Sequence, residues 1–157
     1  MIKKNFWNFI FVLSIFFSDR LSKISIIKFS DTYTQSEIKL TPFLNLSLIW
    51  NEGIAFGLLS FDQEIYYNIL TLIIILITII IFWMITKTEK FEKAAFIMIF
   101  GGSLGNIFDR IYYSAVPDFI DIHIKNFHWF IFNVADIFIC LGIIILITLE
   151  FYPKKKI

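Results

Sequence analysis

Apolar residues run for about the thickness of a bilayer in four places along this chain, and three of the four runs carry polar side chains towards one end. The uninterrupted run is 65–86, IYYNILTLIIILITIIIFWMIT, which has no charge and is long enough for a helix across a hydrocarbon core of about 30 Å. The run 5–27 holds Asp19, Arg20 and Lys23 past its middle, 94–113 carries GGSLGNIFDR in its second half, and 129–150 holds Asn133 and Asp136 near its start. An acid inside such a segment is costly and calls for a functional or pairing explanation. Between the first two runs, Leu44, Leu46, Leu48 and Trp50 alternate until Asn51-Glu52-Gly53 breaks the pattern, which predicts a small sheet over about 38–58. A second alternation, in VPDFIDIHIK, places Ile120, Ile122 and Ile124 on one face and Phe119, Asp121, His123 and Lys125 on the other. With Asp118 on the isoleucine face, the pattern predicts Asp118 against apolar surroundings and Asp121 in solvent.

Composition agrees with the segment pattern. Of 157 residues 58% are hydrophobic and 17% charged, too few charges to cover a soluble domain of this size. A net charge of +1 gives no reason to expect a nucleic-acid partner. Cys140 is the one cysteine, so no intrachain disulfide forms, and in apolar surroundings one turn from Asp136 it reads as a small buried hydrophobe. Lys3 and Lys4 precede the first run, but Phe16 and Phe17 occupy the place of a small-residue cleavage site, so the run reads as a retained helix. Lysines at 3–4, at 87, 90 and 93, and at 154–156 put both termini and the second connection in the cytoplasm, with the other two connections outside. The expected architecture is one α-helical integral membrane domain over 1–157, with four spans and a small sheet at the outer membrane surface.

The polar residues fall in groups. Gly101, Gly102, Gly105, Asn106 and Asp109 form one helical stripe, in which Gly101 and Gly105 admit a close helix neighbour and Asp109 pairs with Arg110. Asp19 and Lys23 have the spacing of a helical ion pair, and Asn133 and Asp136 share a face. Asp118 and Asp136 both lie on the outer side in this topology. Two carboxylates together in a poorly solvated site cannot both ionise easily, and the arrangement suits activation of water against an amide. Two other readings compete with an aspartic protease. GGSLG matches the serine-nucleophile pattern, but Ser103 lies in a helical run rather than on a strand-to-helix elbow. A small transporter or channel subunit would use buried acids as an ion or proton relay, spread through the membrane depth. The His123–His128 spacing is not a helical i, i+4 pair, so neither a metal nor another cofactor is expected.

Five motifs in order, DRLSK, NEGIAFG, GGSLGNIFDR, VPDFID and FNVAD, resemble those of the lipoprotein signal peptidase (signal peptidase II) family over nearly the whole chain. The resemblance implies a peptidase of the bacterial inner membrane that cuts diacylglyceryl-modified prolipoproteins just before the lipidated cysteine. It implies four transmembrane helices with a small extracytoplasmic β-cradle and an outer loop over the site, membrane lipid as surroundings and a monomer. It places the catalytic pair on Asp118 and Asp136, substrate-site positions on Asn51, Asn106, Arg110 and Asn133, and supporting positions on Asp19, Lys23, Gly53 and Asp109. Arg20, where glutamine is common, and Ile54, where a small residue is common, depart from the family pattern.

Overall fold

The computed structural model describes residues 2–33, 37–53, 64–125 and 127–151, with side chains from residue 6 onward. Ile54, the end of the expected cradle and the 154–156 lysines lie outside the described residues. Four helices, α1 (Ile2–Thr32), α2 (Glu64–Lys87), α3 (Lys90–Tyr113) and α4 (Val134–Phe151), carry a sheet of four strands: β1 (Glu37–Thr41), β2 (Leu44–Asn51), β3 (Val116–Ile124) and β4 (Phe127–Phe132). The strands are antiparallel and lie in sequence order. Among the described residues three helices, Ile65–Lys87, Lys90–Tyr113 and Val134–Phe151, are long and apolar enough to cross a membrane. At 31 residues α1 is longer than any of them, and Asp19, Arg20 and Lys23 reduce its apolar character.

Water cannot be the solvent for most of this surface. Phe6, Trp7, Phe9, Phe17, Ile65, Leu72, Ile79, Phe82, Trp83, Ile144 and Ile147 are exposed, whereas Asp19, Arg20, Lys23, Asn106, Asp109 and Asn133 are buried. Apolar side chains outside and polar ones inside is the arrangement a bilayer favours, because lipid competes for no hydrogen bond and leaves polar groups to pair with one another. The chain is a membrane protein.

At the centre is α3, against which α1, α2 and α4 pack. Its glycines explain the closeness of those contacts. A Cβ on Gly102 would lie 2.5 Å from the Ala135 carbonyl oxygen of α4, and one on Gly105 2.6 Å from Asp19 Oδ2 of α1. Gly142 reciprocates from α4, where a Cβ would meet the Ala95 carbonyl oxygen at 2.7 Å. The small-residue stripe is therefore a two-sided docking surface, with Gly101 and Gly105 towards α1 and Gly102 towards α4. Gly102→Ala is expected to lower stability by about 1–3 kcal/mol, because the opposing atom is backbone and the helices must separate. Gly53→Ala, whose Cβ would meet nothing within 4 Å, makes the matched control; equal melting midpoints for the two variants in detergent would contradict this packing.

Four expectations are corrected. The polypeptide at 129–132 is strand, so α4 begins at Val134 rather than near Trp129. Cys140 is exposed, on the face of α4 turned away from α3. Asp109 pairs with Arg20 and Lys23 of α1 rather than with its neighbour Arg110, since consecutive helical residues do not face each other. Asp121 is 3% exposed, while Ile122 and Ile124 are 43% and 72% exposed. Val116, Pro117, Asp118 and Phe119 are buried on both faces, as expected for Asp118, and only from Asp121 onward does the isoleucine face turn outward, because apolar parity marks the interior only where the surroundings are water.

Candidate active site

The geometry of the site begins with one helix end. Asn133 precedes α4, and its Oδ1 accepts the Asp136 N–H at 3.1 Å while Asp136 Oδ2 accepts the Asn133 N–H at 3.1 Å. This reciprocal pair is a capping box built from asparagine and aspartate, and it satisfies N–H groups that the helix itself leaves without partners. A third such group, the Ala135 N–H, donates to Asp19 Oδ1 at 2.9 Å. Both carboxylates therefore meet the positive end of the helix dipole. The position of Asp136 is dictated locally before any chemistry is considered.

The sheet brings up the second acid. In the β2–β3 register Ile49 faces Asp118 and Asn51 faces Val116, which makes Asn51 the diagonal neighbour of Asp118 on the same face. Asn51 Nδ2 donates to Asp118 Oδ2 at 3.0 Å, and Asn133 Nδ2 donates to Asp118 Oδ1 at 2.6 Å. Asn133 thus holds Asp118 through its side-chain amide and Asp136 through its backbone. Asn106 Nδ2 donates to Asp136 Oδ1 at 2.8 Å, and its own Oδ1 accepts from Lys23 Nζ at 2.9 Å. Gly53 contributes its N–H to Asn51 Oδ1 at 3.1 Å, which orients the Asn51 amide donor towards Asp118.

Below the two acids lies a buried ionic cluster. Lys23 Nζ donates to Asp19 Oδ2 at 2.8 Å and to Asp109 Oδ2 at 2.6 Å, and Arg20 Nη1 donates to Asp109 Oδ1. Two cations balance two anions, and Asp19, Lys23 and Asp109 are fully buried. The Arg20 guanidinium also lies 4.8 Å from the centre of the Phe108 ring. Arg20, read from sequence as a departure, is an integral member of this cluster. Arg110 stands apart: Nη1 donates to the Asn106 carbonyl oxygen at 3.4 Å, and among the described residues its buried Nε has no partner.

Burial raises the Asp118 carboxyl from 3.8 to about 6, with the Asp136 charge adding to the rise and the Asn51 and Asn133 hydrogen bonds and Lys23 opposing it. The sign of the stability effect follows. An acid whose folded value is raised contributes most below its unfolded value, here 3.8, and that contribution is lost as pH climbs through about 6. The loss amounts to about 3 kcal/mol at most. Asp118→Asn escapes it, so its melting midpoint minus that of the parent protein should climb between pH 4 and 7 and then level off. A difference that stays flat or falls over that range would refute the reading.

The serine alternative finds no support here. Ser103 is buried within α3, and His123 and His128 stand beside Asp121 on the sheet. The buried charges of the helices, Asp19, Arg20, Lys23 and Asp109, also form one connected cluster across α1 and α3, rather than a relay through the membrane depth.

The family signature of signal peptidase (SPase) II matches residues 11–152. The chain belongs to the signal peptidase II family. A lipoprotein signal peptidase of Pelagibacter ubique (strain HTCC1062) is 50% identical over 155 residues, 98% of this chain and 93% of that protein. Another, from Francisella tularensis subsp. novicida (strain U112), is 43% identical over 133 residues, 81% of this chain and 83% of that protein. Two bacterial membrane enzymes solved by the in meso method share the fold. The one at 2.3 Å resolution has a TM-score of 0.73 and 26% identity, covering 96% of this chain and 93% of that one. The one at 1.9 Å has a TM-score of 0.72 and 27% identity, covering 94% of each chain. Membership in the signal peptidase II family makes this chain a protease of aspartic type.

Proposed function

We propose that this protein removes signal peptides from diacylglyceryl-modified prolipoproteins, cutting before the lipidated cysteine, with Asp118 and Asp136 as the catalytic pair. The observation that carries the assignment is the position of Asn133, which holds both carboxylates at once, through its side chain and its backbone. Asp118, raised to about 6 by burial, carries the proton, and Asp136 serves as base. Asp136 takes a proton from the attacking water as its oxygen bonds to the scissile carbonyl carbon, while Asp118 protonates the carbonyl oxygen. In the second step Asp136 returns its proton to the departing amine, the C–N bond breaks, and Asp118 recovers the proton from the diol. Arg110, with a buried donor left over, is the group to hold a substrate carbonyl.

The same reading gives the topology: four spans, both termini cytoplasmic, and the acids towards the outer face. Lys90 and Asn106 are sixteen residues apart on α3, or about 24 Å along the helix, which separates the lysine-bearing α2–α3 connection from the acids by most of a bilayer. A single domain, acting as a monomer in lipid, suffices for this chemistry.

Acyl chains that stay in the bilayer fix the depth of the scissile bond and remove much of the entropy cost of orienting it. A diacylated prolipoprotein peptide should therefore be cut at least about a hundredfold faster, as kcat/KM, than its unmodified counterpart in the same detergent. Equal rates would refute the lipid-anchored reading while leaving the protease assignment standing.

A further inference from the structure

We propose that Asp121, His123 and His128 form a binding site for a divalent transition-metal ion of the zinc type. The three residues lie outside the Asp118–Asp136 site: Asp121 is three residues from Asp118 on β3 and so points to the opposite face of the strand. Separation along the chain conceals the cluster. His123 and His128 are direct partners in the β3–β4 register, and their rings stack with centres 5.2 Å apart. Asp121 Oδ2 lies 2.8 Å from His128 Nδ1 and 3.8 Å from His123 Nδ1, and one donor atom from each residue falls within 4.8 Å of the others. Donors about 2.0–2.2 Å from one tetrahedral zinc ion stand about 3.3 Å apart, and the two contact distances fall on either side of that separation.

A second, independent feature points to a ligand. Among the described residues Asp121 Oδ1 and His123 Nδ1, both buried, have no hydrogen-bond partner, and the Asp121 side chain is 4% exposed. Two buried acceptors left unmatched side by side are costly, and a cation among them answers both, since a neutral imidazole and a carboxylate offer it lone pairs. Two imidazoles and one carboxylate are a donor set that zinc accepts, with a fourth position left for water. His128, whose side chain is 53% exposed, gives the ion a way in. Binding at His128 Nδ1 leaves the single ring proton of the neutral imidazole on Nε2, so Nδ1 offers its lone pair without any further reactant. The helical-spacing argument against a metal is superseded, because an antiparallel register joins residues five apart that no helix face would join.

The test uses the full-length protein in detergent, without a polyhistidine tag, after treatment with chelator and dialysis. Zinc chloride is titrated by calorimetry, and the melting midpoint is followed. One equivalent should bind, and the midpoint should rise by about 5 °C at a free zinc concentration about a hundredfold above Kd. His123→Gln and His128→Gln should each weaken binding by about tenfold or more. Cobalt should give the intense visible absorption of a low-coordinate site in the parent protein and lose it in the variants. His128, being half exposed, tolerates replacement and carries the test if the other variant does not fold. Absence of binding would overturn the proposal. So would zinc affinity unchanged in both histidine variants, or zinc affinity lost in Asp118→Asn with the histidines intact, which would put the ion at the aspartates.

Discussion

Replacing either Asp118 or Asp136 by asparagine is expected to lower turnover of a diacylated prolipoprotein by about a thousandfold or more. The carboxamide keeps the size of the side chain and an oxygen to accept from its neighbours. At position 136 that oxygen can still take the Asn133 N–H and complete the helix cap, so the fold is retained and the base is lost. At position 118 the proton donor is lost instead. Under the proposed mechanism the two groups act together, so the double variant should be no worse than the weaker single, as for residues that work as a unit. Losses that multiply would mean that the acids act in separate steps, or that one of them is purely structural.

The largest effect on stability is expected at Lys23. This fully buried ammonium donates to Asp19, Asn106 and Asp109, and its removal leaves two buried carboxylates with Arg20 alone as counter-ion. Lys23→Met should cost about 3–5 kcal/mol, the range for breaking a buried pair by deleting one partner. The cost belongs to the uncompensated charge more than to the lost bonds. Adding Asp19→Asn to Lys23→Met restores neutrality and should recover a large part of the stability, although each single variant is destabilised. The measurement is the melting midpoint of each purified protein in one detergent at pH 7. A Lys23→Met protein that melts with the parent, or a double variant worse than the sum of the singles, would contradict the charge-balance account.

Much of this was legible from the order of residues. Helix α2 follows from an uninterrupted apolar run and α3 from an apolar run whose second half carries GGSLGNIFDR, and Asp118 and Asp136 stand out because each acid sits where a polar side chain needs a reason. The glycine stripe likewise announces close packing, since only a missing Cβ allows a backbone oxygen at 2.5 Å. What sequence could not give were contacts made between elements distant along the chain. Asp109 was matched with Arg110 next to it, when its partners lie 86 and 89 residues away on α1. The part of β4 at 129–132 reads as the start of the fourth span because its residues are all apolar and their register with β3 is a tertiary property. The N-x-x-D spacing of Asn133 and Asp136 was noticed as a shared face; read as a capping box, it would have placed the helix start at Val134. Asp121 was put in solvent by a parity argument that assumes water outside, and its pairing with His128 across a turn has no local signature.

The most direct test of the central claim is a side-by-side assay of purified parent, Asp118→Asn and Asp136→Asn proteins on one diacylated prolipoprotein, with products identified by mass spectrometry. The parent should release a lipoprotein whose first residue is the diacylglyceryl cysteine, and both variants, melting as folded proteins, should release none above background. Cleavage at that bond by a folded Asp118→Asn or Asp136→Asn protein at a rate near the parent's would contradict the assignment of the pair.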